Sequence, residues 1–436
     1  MSLDTWLAAL RSSDVATRID AAVALGEAGD KKAVAPLTQA LRDPDPEVRA
    51  TVCEALGALG DARAVPPLVS CLRDADDEVR GEAFSALISI GQARAGKMPD
   101  FTGEDPSNPS MAMTQIVWPA DLEAAKLLHD ALCDTDAEVR IGAAYTLGRL
   151  GVVGAFERLA TLLLADPDAD VRAAAAFALG DLAAHGEPRA VPTLIEAWDS
   201  VAEDDEVAVL LVRALVDLGA RAGYAVLRQA LGHRDDRVRQ LAAMGLARLG
   251  DPGASPSLIR ALKDTHAGVR RNAALALGHL GDRMAVRPLI EAVPRETPEV
   301  RIAIGDALAR HEPQVVHDAL RCALTAEDAT LRQAAAYLMG RVGDADGLEA
   351  ALGDPDDQVR KAAALAMGNV AAPRFREPLC GALTDPAWPV RVAAAEGLRR
   401  LGDPSAAPAL SRHADDPHPV VRNAVAVALR ALPTER

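Results

Sequence analysis

Aromatic residues are scarce in this chain: Phe, Trp and Tyr make up 3% of 436 residues, although half of all residues are apolar. A core must then be built from Ala, Leu and Val. That suits closely spaced helices better than β-layers, because strands favour β-branched and aromatic side chains. A basic excess is missing as well. Forty-seven Lys and Arg face 63 Asp and Glu, for a formal net charge of −16, which argues against nucleic acid as the partner. No run of 18 apolar residues occurs, so no membrane span is expected. The opening MSLDTWLAALRSSD lacks a basic stretch followed by an apolar one, so no signal peptide is expected. The five cysteines (Cys53, Cys71, Cys133, Cys322 and Cys380) form no CxxC and no metal-ligand spacing. They read as reduced, mostly buried thiols of a cytoplasmic protein. The motifs GxxxxGK[ST] and GxSxG are absent too, and nothing implies a catalytic residue, a cofactor or a metal.

What the chain has is repetition. The stretch DPDPEVRATVCEALGALGDARAVPPLVSCL, residues 43–72, recurs with variations almost from end to end. The arginine after Val, or its equivalent, falls at 18, 49, 80, 140, 172, 239, 270, 301, 332, 360, 391 and 422, and Ala208 takes that place in one further copy. The usual spacing is 31 residues, which signals a solenoid of about thirteen units. Each unit predicts two helices. The first begins near a Pro, which fits a first helical turn. The second opens after Asp-x-Asp, whose carboxylates can accept the free N–H groups of a helix start. It ends at Leu-Gly-Asp, with Gly available for a left-handed cap.

Counted from the arginine, apolar residues of the second helix sit at −1, +3, +4, +7 and +10, the stripe of a helix packed on one side. One such pair cannot bury its apolar surface alone, but stacked neighbours can. Small Ala at +3 and +4 permits close approach. The pattern D-x-D-x-x-V-R-x-x-A-A-x-A-L-G-x-L-G-D-x-x-A-V-x-P-L resembles the HEAT-like repeat of the phycocyanobilin-lyase type, a branch of the HEAT-repeat family, over nearly the whole chain. The resemblance implies an all-α, right-handed α-α superhelix. Proteins similar in this repeat include bilin lyases, deoxyhypusine hydroxylases, certain alkylpurine DNA glycosylases and many bacterial scaffolds, so it leaves function open.

The hydroxylase reading fails on the residues. It needs repeated His-Glu pairs to hold two irons, and this chain has one, His311–Glu312, followed at once by Pro313; Arg140-Ile141 and Arg172-Ala173 stand where others would be. His413, Asp416 and His418 lie around one turn and read as a solvated loop. The recurrent Asp and Arg read as architecture, pairing along the stack, because every repeat carries them.

Function should sit at the positions the repeat leaves free. At 100° per residue, +5 points away from the stripe, with +1 and +9 beside it. In such superhelices the second helices line the concave side. Column +5 holds Val23, Glu54, Ser85, Tyr145, Phe177, Arg213, Met244, Leu275, Asp306, Tyr337, Leu365, Glu396 and Val427. Column +9 adds Arg149, Arg248, His279, Arg310, Arg341 and Arg400, with no arginine before residue 149, and +1 adds Arg271 and Lys361. Solvent-facing Tyr145, Phe177, Met244, Leu275, Tyr337 and Leu365 flanked by arginines have the composition of a protein-binding hot spot. Asp181, Asp217, Asp306, Glu54 and Glu396 interrupt the basic residues, which again disfavours nucleic acid.

One segment breaks the count. Arg80 and Arg140 are 60 residues apart, and the excess is QARAGKMPDFTGEDPSNPSMAMTQIVWPA, residues 92–120. This divides the chain into repeats one to three (1–91), an insertion loop (92–120) and repeats four to thirteen (121–436), in one continuous solenoid. Met98, Phe101, Met111, Met113 and Trp118 make the loop too apolar for a spacer. It is expected to pack back on the solenoid and to contact or gate a partner. The function expected is a non-catalytic scaffold that binds an extended, acidic or amphipathic protein segment on the concave face. Two other readings stand beside it: a bilin-lyase-like or chaperone-like subunit acting on a tetrapyrrole-bearing protein, and DNA-lesion recognition.

Overall fold

The computed structural model describes residues 3–95 and 122–433. Among them are twenty-six α-helices and no strand, and within each of two units the helices stack in pairs as expected of a solenoid. They group into two compact units, one running to Val226 and the other starting at Leu227. The second helices of the first unit are α1 (Val15–Ala28), α2 (Pro46–Leu59), α3 (Asp77–Ala95), α4 (Ala137–Arg149), α5 (Ala169–Ala184) and α6 (Asp205–Asp217). Those of the second unit are α7 (Asp236–Leu249), α8 (Ala267–Leu280), α9 (Pro298–Leu308), α10 (Ala329–Val342), α11 (Asp357–Val370), α12 (Trp388–Leu401) and α13 (Pro419–Ala431). Among the described residues no helix is long and apolar enough to cross a membrane.

The two aspartates of the repeat have separate tasks. The second caps the helix: Asp45 accepts the N–H of Glu47 at 3.0 Å, and Asp136 does the same for Glu138. The first receives the arginine of the preceding repeat. Arg18 grips Asp43, Arg49 grips Asp74, Arg140 grips Asp166, Arg239 grips Asp264, Arg332 grips Asp354, Arg360 grips Asp385 and Arg391 grips Asp416, each through Nε and Nη2 at 2.7–3.0 Å. Each of these arginines also donates Nη1 to a carbonyl six residues before itself, as Arg49 does to Asp43 at 2.9 Å. A planar fork saturated this way fixes the register between neighbours. The Arg hydrogen bond holds Asp74, Asp354 and Asp416 below the usual carboxylate range. At Asp43, Asp264 and Asp385 burial is the largest single influence and pushes upward, yet the arginine and a backbone N–H together still leave the group lowered.

The Ala at +3 and +4 are buried as expected, except Ala426 of the last helix, but the closest approach lies elsewhere. Where +8 of a second helix is glycine, it backs directly on the small residue at +6 of the next. A Cβ built on Gly148 would stand 2.6 Å from Ala178 Cα, and one on Gly278 2.6 Å from Ala307 Cα. Position +6 is therefore buried too, and the second helix is covered over a wider arc than its apolar stripe suggests.

Two interfaces inside the units depart from this pattern. The α3–α4 and α9–α10 pairs pack far less closely than the other successive second helices of their units. Both are also where the ion-pair ladder breaks. Arg80 turns to Asp77 on its own helix at 2.6 Å, and its expected carboxylate, Asp134, takes Arg73 instead. Arg301 finds Ala326 where the aspartate should be.

Two sequence expectations need correction. Cys53 and Cys71 are buried, but Cys133 and Cys322 are exposed and Cys380 is half-buried. A first helix is covered on one side only, and Cys322 lies on its outer side while Val316, Leu320 and Ala323 face in; Cys133 follows the end of Leu122–Ala131. Secondly, α3 runs to Ala95, past the boundary set at residue 92. The insertion-loop residues Met98, Phe101, Met111, Met113 and Trp118 lie outside the described residues.

Candidate functional site

In the first unit the expected column is present on the solvent side of the second helices. Val23, Glu54, Ser85 and Arg213 are exposed, and Tyr145 and Phe177 are half-buried. The two rings meet each other at 5.0 Å between centroids, tilted by 56°. Phe84 extends the row from α3, 5.7 Å from Tyr145. Such tilted pairs lie within the favourable range for aromatic contact. The pattern assigned Phe84 to the core, because it occupies +4. Its size is the signal that was available: the equivalent residues are mostly Ala, and Gly142 on α4 leaves room for the ring to lean across. The aromatic row thus fills part of the looser α3–α4 interface.

Arg149 stands over Phe177, with Cζ 4.8 Å from the ring centroid, and lies 3.4 Å from Asp181. Cation and ring are favourably placed. Burial pushes the Asp181 carboxyl above its ordinary pKa, Arg149 and His185 oppose this, and Asp217 adds to it. A raised folded-state pKa contributes stability below the ordinary Asp value of about 3.9, and this is lost as pH rises through the raised value. Asp181→Asn is therefore expected to raise the melting temperature at neutral pH by roughly 1–3 °C, with the gain shrinking towards pH 4. Equal melting temperatures at pH 7 would show that the Arg149 pair outweighs desolvation.

In the second unit Met244 is exposed, Leu275, Tyr337 and Leu365 are half-buried, and Asp306 is exposed. Arg271, Leu275, Ile302 and Asp306 line an open cavity of about 600 Å³ between α8 and α9. Tyr337 and Leu365 line a smaller one of about 230 Å³ with Arg301 and Lys361. His279, Arg310, Arg271 and Arg248 are exposed. Arg341 is already held by Asp306 at 2.7 Å, and Arg400 by Glu396 at 2.9 Å and by Asn369. Several arginines expected to offer charge are thus engaged by acids of the same columns. That moderates the basic character of the face: +9 meets +5 of the neighbouring helix at Arg341 and Asp306, and +5 of its own helix at Arg400 and Glu396.

No group of three metal-ligating side chains occurs among the described residues. Asp416 is engaged by Arg391 and by the His418 N–H, and the His418 ring stacks on Trp388 at 4.2 Å. Glu312 is bound to Arg283, which separates it from His311 as a potential ligand pair.

A family model described as HEAT repeats matches residues 3–88, 101–180, 156–237, 191–278, 224–309 and 345–430. Among curated proteins no sequence relative matches. Solved structures with a similar fold include Kap121p, at 14% identity and a TM-score of 0.60, covering 98% of this chain and 51% of that one. Kap121p bound to Ste12p is similar at 13% identity and a TM-score of 0.58, covering 99% and 48%. The Kap95p structure with RanGDP gives 13% and 0.57, covering 99% and 67%. This chain spans about half the length of the Kap121p chains it resembles.

Proposed function

The chain belongs to the HEAT-repeat family, and we propose that it works as a non-catalytic scaffold that binds a protein segment on the face made by its second helices. The observation that carries this reading is the Phe84–Tyr145–Phe177 row with Arg149 over its last ring, on helix positions that solvent reaches. The looser α3–α4 interface accounts for large side chains at Phe84 and Tyr145, but Phe177 on α5 extends the row beyond it, in a chain so poor in aromatics. Rings and a stacked guanidinium supply contact area at low entropic cost, which is how binding hot spots are built. Two solenoids of similar fold were solved with proteins, Kap121p with Ste12p and Kap95p with RanGDP, which supports a protein as the ligand class. The partner proposed is an extended acidic or amphipathic segment in a cytoplasmic setting, and the repeat is proposed to be of the phycocyanobilin-lyase type.

Affinity capture tests this. The intact chain should recover a defined set of proteins, and a Tyr145→Ala, Phe177→Ala, Tyr337→Ala triple variant should lose them, with affinity falling at least about a hundredfold if each ring is worth about 1–2 kcal/mol. Retention of every partner by the folded triple variant would refute the binding face.

A further inference from the structure

The break of the ladder at α9–α10 leaves a cation without its anion. In every neighbouring repeat of the second unit the register arginine grips a carboxylate of the next: Arg239 has Asp264, Arg270 has Glu296 and Arg332 has Asp354. Arg301 has Ala326. The backbone there has not moved out of register, because the Ala326 carbonyl still accepts Arg332 Nη1 at 2.9 Å, as the Asp354 carbonyl accepts Arg360 Nη1. Only the carboxylate is missing. Arg301 makes no side-chain hydrogen bond or ion pair among the described residues, and its Nε is buried without a partner. Leaving such a donor unsatisfied is costly unless something else binds it.

The same interface lacks its close contact. Counted from Arg301, +8 is Ala309, and +6 of α10 is Leu338, where α8 and α9 set Gly278 against Ala307; α9 and α10 pack loosely. Beside this interface lies the cavity of about 230 Å³, lined by Arg301 of α9, by Gln333 and Tyr337 of α10, and by Gln358, Lys361 and Leu365 of α11. The lining contains two cations and no carboxylate, on a protein whose net charge is −16. The cavity thus offers two cations from helices on either side of α10, the apolar surface of Tyr337 and Leu365, and amide groups.

We propose that this cavity is a carboxylate-binding subsite, in which Arg301 and Lys361 receive an Asp or Glu side chain of a partner polypeptide while Tyr337 and Leu365 take the apolar residue next to it. The bound carboxylate occupies the role that the ladder aspartate fills in other repeats. The proposal rests on the scaffold reading above and gives it a local chemistry.

The test begins with selection of random dodecapeptides displayed on phage against the full chain. The best peptide, fluorescein-labelled, is then titrated by anisotropy into the wild type, Ala326→Asp, Arg301→Gln and Lys361→Gln. Enriched peptides should carry Asp or Glu beside a Phe or Leu. Ala326→Asp supplies the missing internal carboxylate, so it should raise the melting temperature and weaken the peptide about 10- to 100-fold, the worth of a charge-assisted hydrogen bond. Arg301→Gln should weaken it similarly without the thermal gain. A Tyr145→Ala, Phe177→Ala variant should bind it as the wild type does. Peptides without acidic residues, or equal affinity for wild type, Ala326→Asp and Arg301→Gln, overturn the subsite; the scaffold reading then stands or falls by affinity capture. Inorganic phosphate that stabilises the wild type and displaces the peptide, but leaves Arg301→Gln unaffected, assigns the cavity to a free oxyanion and also overturns the polypeptide carboxylate.

Discussion

Asp166→Ala is expected to destabilise the first unit by about 3–5 kcal/mol. Asp166 and its partner Arg140 are each 8% exposed, and the pair is joined by two hydrogen bonds of 2.9 Å. Removing the carboxylate leaves a guanidinium buried at the α4–α5 interface with nothing opposite its Nε and Nη2. It also removes the acceptor for the Asp168 N–H at 3.0 Å, which shapes the turn into α5. The loss comes mainly from the stranded charge, not from the worth of the pair itself, so a double variant Arg140→Met, Asp166→Leu should cost less than Asp166→Ala alone. Glu291→Ala is the contrast. It breaks an exposed pair with Arg287 one helical turn away and should change stability by about 0.5 kcal/mol or less. Urea denaturation measures all three without screening the charges, and hydrogen exchange should place the loss at α4 and α5, because each repeat of a solenoid contacts only its neighbours. Equal costs for Asp166→Ala and Glu291→Ala would show that the ladder does not hold the stack together.

Gly278→Ala is the second large effect, and its sign runs against helix propensity. In an exposed helix interior the change from Gly to Ala gains about 1 kcal/mol. At Gly278 the added methyl would lie 2.6 Å from Ala307 Cα and 2.8 Å from its Cβ. Backbone is what it meets, so α8 and α9 must separate, and overpacking of this kind costs about 1–3 kcal/mol. Gly81→Ala is the internal control, since nothing lies within 4 Å of a Cβ there; it should be neutral or slightly stabilising. Thermal melts of the two variants should therefore move in opposite directions. A stabilised Gly278→Ala would mean that the +8 glycines are not the site of closest approach.

Much of this was readable before any coordinates. Spacing alone places Arg49 and Asp74 in adjacent repeats, and a motif present in nearly every copy is most simply structural, as the ladder proves to be. The +5 column also falls where solvent reaches it, because a 100° step fixes which side of a helix faces out. Phe84 was missed because register says only which direction a side chain leaves the helix. Whether it fits depends on Gly142 across the interface. The engaged state of Arg149 and Arg341 was hidden for a similar reason, since it depends on distances between helices rather than along one, whereas Arg400 and Glu396 stand four residues apart on one helix.

The amino-acid sequence by itself determined the helix pairs, their period, their caps and the buried stripe, since these follow from local geometry and from apolar periodicity. Tertiary structure alone decided how closely each pair of neighbours packs. Most closely packed neighbours set a +8 glycine against a small +6 residue and an arginine against a carboxylate, while α7–α8 and α12–α13 pack closely with Ala247 and Arg399 at +8. At α9–α10 both fail together, and one departure in a repeated motif, Ala326 for aspartate, leaves the Arg301 guanidinium unpaired beside a cavity.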